Sequence, residues 1–325
     1  MTAYLSLTRL IIMAQTSRTP IRISLKIFFI ALILLFAGNN AAKADDVLVI
    51  NTSTIIPYSS CIGGLREILS AYSLQVVSIE SDLDKGRDII NSVKEKEYRL
   101  IVAVGPQASF LLSEIKFPAP KLFCMVLNPH RLIAKEKLYS GVSLNIPLSY
   151  QLQQIKKTFP GRKRVGVFFS QGENKTVVES LRKEAALQGL AIVGLPISSA
   201  SDILPTIASK DFSIDILLMI PDEQINSQKI VEYIIKEALR RTIPVVGYNS
   251  WFARNGAILS FIIDYRDMGI QAGTMAMKLL RQGAGSRVAI EAPARIRVSI
   301  DEKTAQKLGI QVSSGAIQQA DEVIR

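Results

Sequence analysis

Short runs of valine, isoleucine and leucine recur along this chain, and nearly every one is followed by a segment with helical spacing. Val47–Asn51, Leu100–Val104 and Lys121–Val126 are apolar almost throughout. A strand that faces water on one side alternates apolar and polar residues. A strand apolar on both sides is covered on both, as in a parallel sheet between two helical layers. Between these runs the spacing predicts helices over Cys61–Tyr72, Gly86–Glu97 and Gln107–Ile115, with a further strand at Gln75–Ile79. The first helix is opened by Ser59 and Ser60 and carries Leu65, Ile68 and Leu69 on one face. Such alternation calls for right-handed crossovers and a parallel sheet.

The pattern then repeats. Strands are expected at Arg164–Phe169, Ala191–Leu195, Ile214–Ile220 and Pro244–Gly247, with helices at Glu173–Gln188, Asp202–Ser209 and Ser227–Arg241. Each half is about 100 residues, enough for its own core. Between the halves, Tyr139–Pro147 reads as an extended crossover leading to a helix from Leu148 to Phe159. Beyond them lies the densest stretch, Ile243 to Gly283. It holds the loop Tyr248-Asn249-Ser250-Trp251, an apolar strand at Ala257–Ile263, and a helix capped by Asp264 and ended by Gly283. A strand at Ile296–Ile300 and a helix at Asp301–Leu308 follow, and Ser313–Arg325 reads as a polar, frayed tail.

Before Asp45 the chain has the character of an export leader. Arg9, Arg18, Arg22 and Lys26 precede the apolar run Ile27–Ala37, which is short of the ~20 residues of a membrane span. Ala42-Lys43-Ala44 offers small residues for cleavage before Asp45, and Met13 is an alternative start. Removing the five basic residues of residues 1–44 lowers the formal charge from +11 to +6. The basic balance therefore says little about nucleic acid. Cys61 and Cys124 are the only cysteines. In an oxidising periplasm they could pair, but sequence does not place them within bonding distance; free buried thiols are the expectation and a disulfide the alternative. With His130 as the sole histidine and no CxxC, no metal site and no cofactor is expected.

Phe123-Cys124-Met125-Val126-Leu127-Asn128-Pro129, Gly141-Val142-Ser143-Leu144, Arg164-Val165-Gly166-Val167 and Gly256 to Gly273, in that order behind a leader, resemble the ABC-transporter substrate-binding proteins with the type I periplasmic-binding-protein fold. More closely they resemble the branch that includes binders of aromatic amino acids. The resemblance covers roughly Asp45 to Gly309. It implies an α/β fold of two doubly wound parallel-sheet lobes joined by a three-crossover hinge. On that reading residues 1–44 are a signal peptide. Residues 45–144 with 263–290 form lobe 1, 145–262 with 291–312 form lobe 2, and 313–325 are a flexible tail. The chain departs from many relatives at Asn128, where they carry aspartate, and at Gly105-Pro106, where they carry Gly-Thr. Both positions belong to the expected cleft.

Ligands of open α/β sheets bind beyond the strands' carboxyl ends. On lobe 1 this rule picks Ser53, Thr54, Gln107, Ser109 and Asn128, with Tyr58 closing from the first loop. On lobe 2 it picks Ser170, Asp222, Tyr248, Asn249 and Trp251, and Asp264-Tyr265 completes the ring near the hinge. The loop before Gln107 opens a helix whose N-terminus suits a carboxylate. Asp222 can pair with a ligand ammonium, and Tyr248 or Trp251 can stack on a planar ligand. Each has a plainer alternative: Ser109, Asp222 and Asp264 as helix caps, Trp251 as lobe core. Catalysis has little support, since GxSxG, Walker A and HExxH motifs are absent. The expectation is an exported, monomeric solute-binding protein, not an enzyme. It would take up a small molecule, by resemblance an amino acid, and present it to an inner-membrane ABC permease with its ATPase. No nucleic-acid partner is expected. A periplasmic ligand-sensing module serving a receptor or kinase is the alternative.

Overall fold

The computed structural model describes residues 46–93, 98–172, 174–209 and 212–325, and the expected leader lies outside them. The first lobe is built from β1 (Val47–Asn51), α1 (Ile56–Ile68), β2 (Leu74–Ser78), α2 (Leu83–Val93), β3 (Leu100–Val104), α3 (Pro106–Glu114), β4 (Lys121–Val126), the short α4 (Pro129–Leu132) and β5 (Ser140–Ser143). The second continues with α5 (Leu148–Thr158), β6 (Arg164–Ser170), α6 (Lys175–Leu187), β7 (Ala191–Ile197), α7 (Ile203–Ala208), β8 (Ile216–Leu218), α8 (Gln228–Arg240), β9 (Val245–Gly247), α9 (Ser250–Arg254) and β10 (Leu259–Ile262). The chain then returns through α10 (Tyr265–Gln282) and β11 (Ile290–Glu291), and finishes with β12 (Arg297–Asp301), α11 (Glu302–Lys307), α12 (Ser314–Gln319) and β13 (Glu322–Ile324).

Two sheets result. The first has strand order β11-β5-β4-β3-β1-β2 and is parallel throughout. Its central strands are buried along their whole length, and their side chains divide by parity. Val47 and Val49 pack with Cys61 and Leu65 of α1 and Met268 of α10, while Leu48 and Ile50 pack with Ile90, Leu111 and Leu112 on the opposite face. This is the two-layer covering that unbroken Val/Ile/Leu runs demand. The second sheet has order β13-β12-β10-β9-β8-β6-β7 and is parallel except where β10 meets β12.

The chain passes between the sheets three times, after β5, after β10 and after β11. The second passage sends α10 back to the first lobe, where it lies against α1 at backbone contact. A Cβ on Gly269 would run into the Cys61 carbonyl oxygen, and one on Gly64 into the Arg266 carbonyl oxygen. Only glycine permits that approach.

Two expectations are corrected. The first helix begins at Ile56, five residues before the expected start, because Pro57 rather than the two serines sets its first turn. The C-terminal residues, expected to fray, instead form α12 and β13. Ala316 and Ile317 pack on the second lobe's core, Ser313 N–H donates to Thr158 O, and Val323 pairs in parallel with Ile300.

Candidate functional site

The carboxyl ends of β4, β6, β8 and β9 converge on a cleft between the lobes. Two connected cavities occupy it, an inner one of about 290 Å3 and an outer one of about 530 Å3. They share Leu127, Asn128, Pro221, Tyr248 and Asn249. Leu127 and Asn128 reach the cleft because β4 breaks register after Cys124, with Met125 at φ 62° and Asn128 at φ 48°. A bulge at a strand end re-aims the residues that follow, and asparagine tolerates the left-handed region better than most residues.

Asp222 is the most heavily bonded group in the cleft wall. It is 8 % exposed. Its Oδ2 accepts from Ser170 N–H at 2.7 Å, Ser170 Oγ–H at 3.0 Å and Asn174 Nδ2 at 2.7 Å, and its Oδ1 accepts from Gln224 N–H at 2.9 Å. Burial alone would raise its pKa. The Ser170 backbone, the Asn174 amide, the Gln224 backbone and the Ser170 hydroxyl together outweigh burial and hold it below the ordinary aspartate range. The carboxylate therefore ties β6 and the start of α6 to the turn after β8. It faces the outer cavity as a wall, with most of its acceptor capacity in use.

Asn249 shows the same economy. Its Oδ1 caps α9 by accepting from Trp251 N–H at 2.9 Å and Phe252 N–H at 3.3 Å, while the residue lines both cavities. Phe252 is buried beneath the loop and holds two aromatics over the cleft. The Tyr248 ring lies 4.7 Å from it and the Trp251 ring 5.4 Å away, edge-on. Trp251 lines the outer cavity only; Tyr248 lines both. Burial, with a smaller push from Asp222, raises the Tyr248 hydroxyl pKa, so the group remains a neutral donor.

The lobes meet through amide groups. Asn128 and Asn145 bond reciprocally, Asn128 N–H donating to Asn145 Oδ1 at 2.7 Å and Asn145 Nδ2 to Asn128 Oδ1 at 2.8 Å. This pins the end of β4 to the connection that leaves the first lobe. Arg131 of α4 donates from Nη1 to Asn174 Oδ1 at 3.2 Å. That bond crosses the cleft and extends the Asp222 network into the first lobe.

Several expected residues lie elsewhere. Ser109 is fully buried, donates its hydroxyl to Gly105 O at 2.6 Å, and accepts at its own carbonyl from Tyr139 Oη–H. It is helix interior, a correction to its placement in the cleft. The N-terminus of α3 has little left for a carboxylate. Pro106 has no N–H, Ala108 N–H donates to Thr52 Oγ1 at 3.1 Å, and Ser109 N–H to Gly105 O. Asp264 is the cap of α10, accepting from Arg266 and Asp267 N–H. Tyr58 sits in the first turn of α1 beside Gly105, and burial, helped by Tyr265, raises its pKa. Ser53 and Thr54 stand on the first lobe's rim, half-buried and exposed, outside the residues that line the two cavities. Gln107 is likewise outside them, with a buried Oε1 that has no partner among the described residues.

Sequence reading missed much of the floor of the inner cavity: Asn145 and Ile146 on the first connection, Ile263 on the second, Gln151 on α5 and Asn174 before α6; Tyr265, expected beside Asp264 near the hinge, lines it from the start of α10. The signal was present in part, because the connections themselves were recognisable and a chain that crosses a cleft must line its base. Among the described residues, no charged side chain lines the inner cavity, whereas Arg131, Asp222 and Glu223 all line the outer one.

Two parallel-sheet α/β lobes, three connections and a cleft at the strand ends define a binding protein of the type I periplasmic fold. The family described as ABC transporter substrate binding protein matches residues 64–324, and the chain belongs to it. It is similar to a tyrosine-binding protein of Clostridioides difficile, 26 % identical over 174 residues, which is 53 % of this chain and 50 % of that protein. The match thus spans about half of that relative's length. Among solved structures it is similar to a ligand-free, open substrate-binding protein with adhesive properties from Clostridium difficile, at 19 % identity and TM-score 0.73 over 86 % of this chain and 98 % of that one. It is also similar to an ABC domain in complex with L-Trp from Streptococcus pneumonia, at 21 % identity and TM-score 0.59 over 86 % of this chain and all of that one. At these identities the structures establish the fold.

Proposed function

We propose that the chain is the exported, monomeric receptor of an ABC importer. It captures a small amphipathic molecule between its lobes and presents the closed form to a membrane permease and its ATPase. The observation that carries the ligand class is the division of the cleft. The inner cavity is lined by aliphatic side chains, two tyrosines and neutral amides, and the charged groups stand at the outer one. Placing a net charge in the inner cavity would cost desolvation without a partner. A ligand with an apolar body and a doubly charged head matches both: body inward, head toward Arg131 and Glu223. A large neutral amino acid has that form, and the tyrosine-binding and L-Trp-bound relatives belong to the same class. Bending about the three connections brings Ser53, Thr54 and Tyr58 toward the ligand from the first lobe, and contacts made to both lobes only in the closed state favour that state.

The test is native mass spectrometry of protein purified from cells, followed by thermal shift with neutral aromatic, neutral branched, acidic and basic amino acids. A saturating ligand raises the melting temperature in proportion to ln(1 + [L]/Kd). Neutral aromatic or branched amino acids are expected to stabilise and acidic or basic ones are not. Tyr265→Ala is expected to weaken an aromatic ligand about ten-fold, for lost packing of roughly 1.4 kcal/mol. Stabilisation by acidic or basic amino acids alone would refute the ligand class.

A further inference from the structure

Sequence alone does not place the two cysteines of this chain within bonding distance, and the fold brings them together. Cys61 lies on α1 and Cys124 on β4, 63 residues apart, with their Sγ atoms at 3.4 Å. Both are fully buried, in the core cluster that also holds Leu65, Val104 and Met268. α1 cannot easily drift away from this position, because its Gly64 and the Cys61 carbonyl are locked against α10 at backbone contact. The chain has no third cysteine to compete for either partner.

We propose that Cys61 and Cys124 close an intramolecular disulfide when the chain folds in an oxidising compartment. Export, proposed above, would supply that compartment. The sulfurs, 3.4 Å apart, must approach by about 1.4 Å to reach the bond length of about 2.05 Å. The oxidant is a protein or glutathione disulfide. One cysteine thiolate attacks an oxidant sulfur, forming a mixed disulfide and releasing the oxidant's first thiolate. The second cysteine thiolate then attacks the mixed disulfide at its partner's sulfur, and the oxidant leaves as a second thiolate. Two cysteine protons are released, two electrons pass to the oxidant, and its disulfide becomes two thiols. The exchange belongs to the folding chain. In the finished lobe the Cys61 contact and burial push the Cys124 pKa up, and no oxidant reaches either sulfur. The bond would fasten α1, which carries Tyr58, to β4, which delivers Leu127 and Asn128 to the cleft. The first lobe would then move as a stiffer body during closure.

The test uses the full chain in two arms. In the first, cells expressing it are fractionated, and protein from each compartment is denatured and alkylated without reduction. Fractionation reports export independently of thiol state. In the second, purified reduced protein is unfolded and refolded with oxidised and reduced glutathione, which needs no export. The expected result in the oxidising compartment and in the refolded sample is a monomer with no alkylated cysteine, about 2 Da lighter than the reduced chain. Its melting temperature should lie roughly 5–10 °C above that of the same protein refolded under reductant. Cys61→Ala should abolish that oxidation-dependent shift. Folded monomer from oxidative refolding with both cysteines alkylated, or disulfide-linked dimer as the main product, would overturn the proposal.

Discussion

Replacing Asp222 separates its two possible roles, ligand contact and internal brace. In Asp222→Ala, Ser170 N–H, Ser170 Oγ–H, Asn174 Nδ2 and Gln224 N–H all lose an acceptor, at a site 8 % exposed. A hydrogen bond to a charged group contributes about 1.5–3 kcal/mol, but the four share one carboxylate and do not add. Cavity water can replace the bond to Gln224, and Asn174 keeps its bond to Pro221 O. A net cost of about 3 kcal/mol follows, or roughly 5 °C in melting temperature for a protein of this size. The effect has a pH signature. Because the folded pKa is depressed, the stabilisation is complete above the unfolded-chain value of about 3.9 and is lost as pH falls from there through the lower folded value. Differential scanning calorimetry of wild type and variant, without ligand, at pH 7 and below pH 4, reads both predictions. The gap should be wide at pH 7 and narrow in acid. An Asn174→Ala background should reduce the cost of Asp222→Ala. A variant that melts with wild type at pH 7 would show that the carboxylate is not a brace, and would return it to the ligand.

Gly269→Ala should destabilise by about 1–3 kcal/mol despite alanine's better helix propensity, because the added methyl meets the Cys61 carbonyl; urea titration measures it. Arg131→Ala removes the bond to Asn174 that crosses the cleft and should shift the lobes toward opening, seen as a larger radius of gyration in small-angle scattering and faster ligand release in stopped flow. Ligand affinity should be flat between about pH 5.5 and 8, because burial raises the Tyr248 and Tyr265 hydroxyls and bonding lowers Asp222, all moving away from that window; isothermal calorimetry with a large neutral amino acid across it checks this.

The core strands were legible because their composition admits one environment. β1, β3 and β4 begin and end where their apolar runs do. The cap at Asp264 and the stop at Gly283 were legible for the same reason, since each reflects local chemistry that tertiary packing reinforces. The start of α1 was misread because serine and proline signals compete over Ile56–Ser60, and the fixed φ of Pro57 prevailed. The order of the C-terminal segment could not be read locally. β13 is a strand because β12 offers it an edge, and the Asp321 carboxylate accepts Val298 N–H across that junction. In the cleft, the rule that sites follow strand ends brought Asn128, Tyr248, Asn249 and Trp251 together. It overreached at Ser109, because a serine one turn into a helix satisfies itself on the preceding carbonyl. It could not anticipate Asn145 and Asn174, whose roles depend on which loops of the opposite lobe lie across from them.

A common cause runs through these hits and misses. Strand ends need acceptors for the N–H groups of the helices and turns that follow, so polar side chains placed there are drawn first into capping. Asp222, Asn249 and Asp264 are all engaged in that way, while Ser109 spends its hydroxyl as a donor to the Gly105 carbonyl. What remains toward the inner cavity is a neutral set: aliphatic side chains and amides, with tyrosine hydroxyls that burial keeps protonated. A wall of this kind recognises shape and dispersion contacts more than charge, and it gives a net charge no partner at depth. The charged groups that could read a ligand's head stand at the outer cavity, where Arg131 also crosses between the lobes. On the proposed reading, recognising the ligand's carboxylate and holding the lobes together would fall to the same arginine. A ligand whose carboxylate drew Arg131 away from Asn174 would have to supply, through its own contacts to both lobes, the cross-cleft bond it displaced.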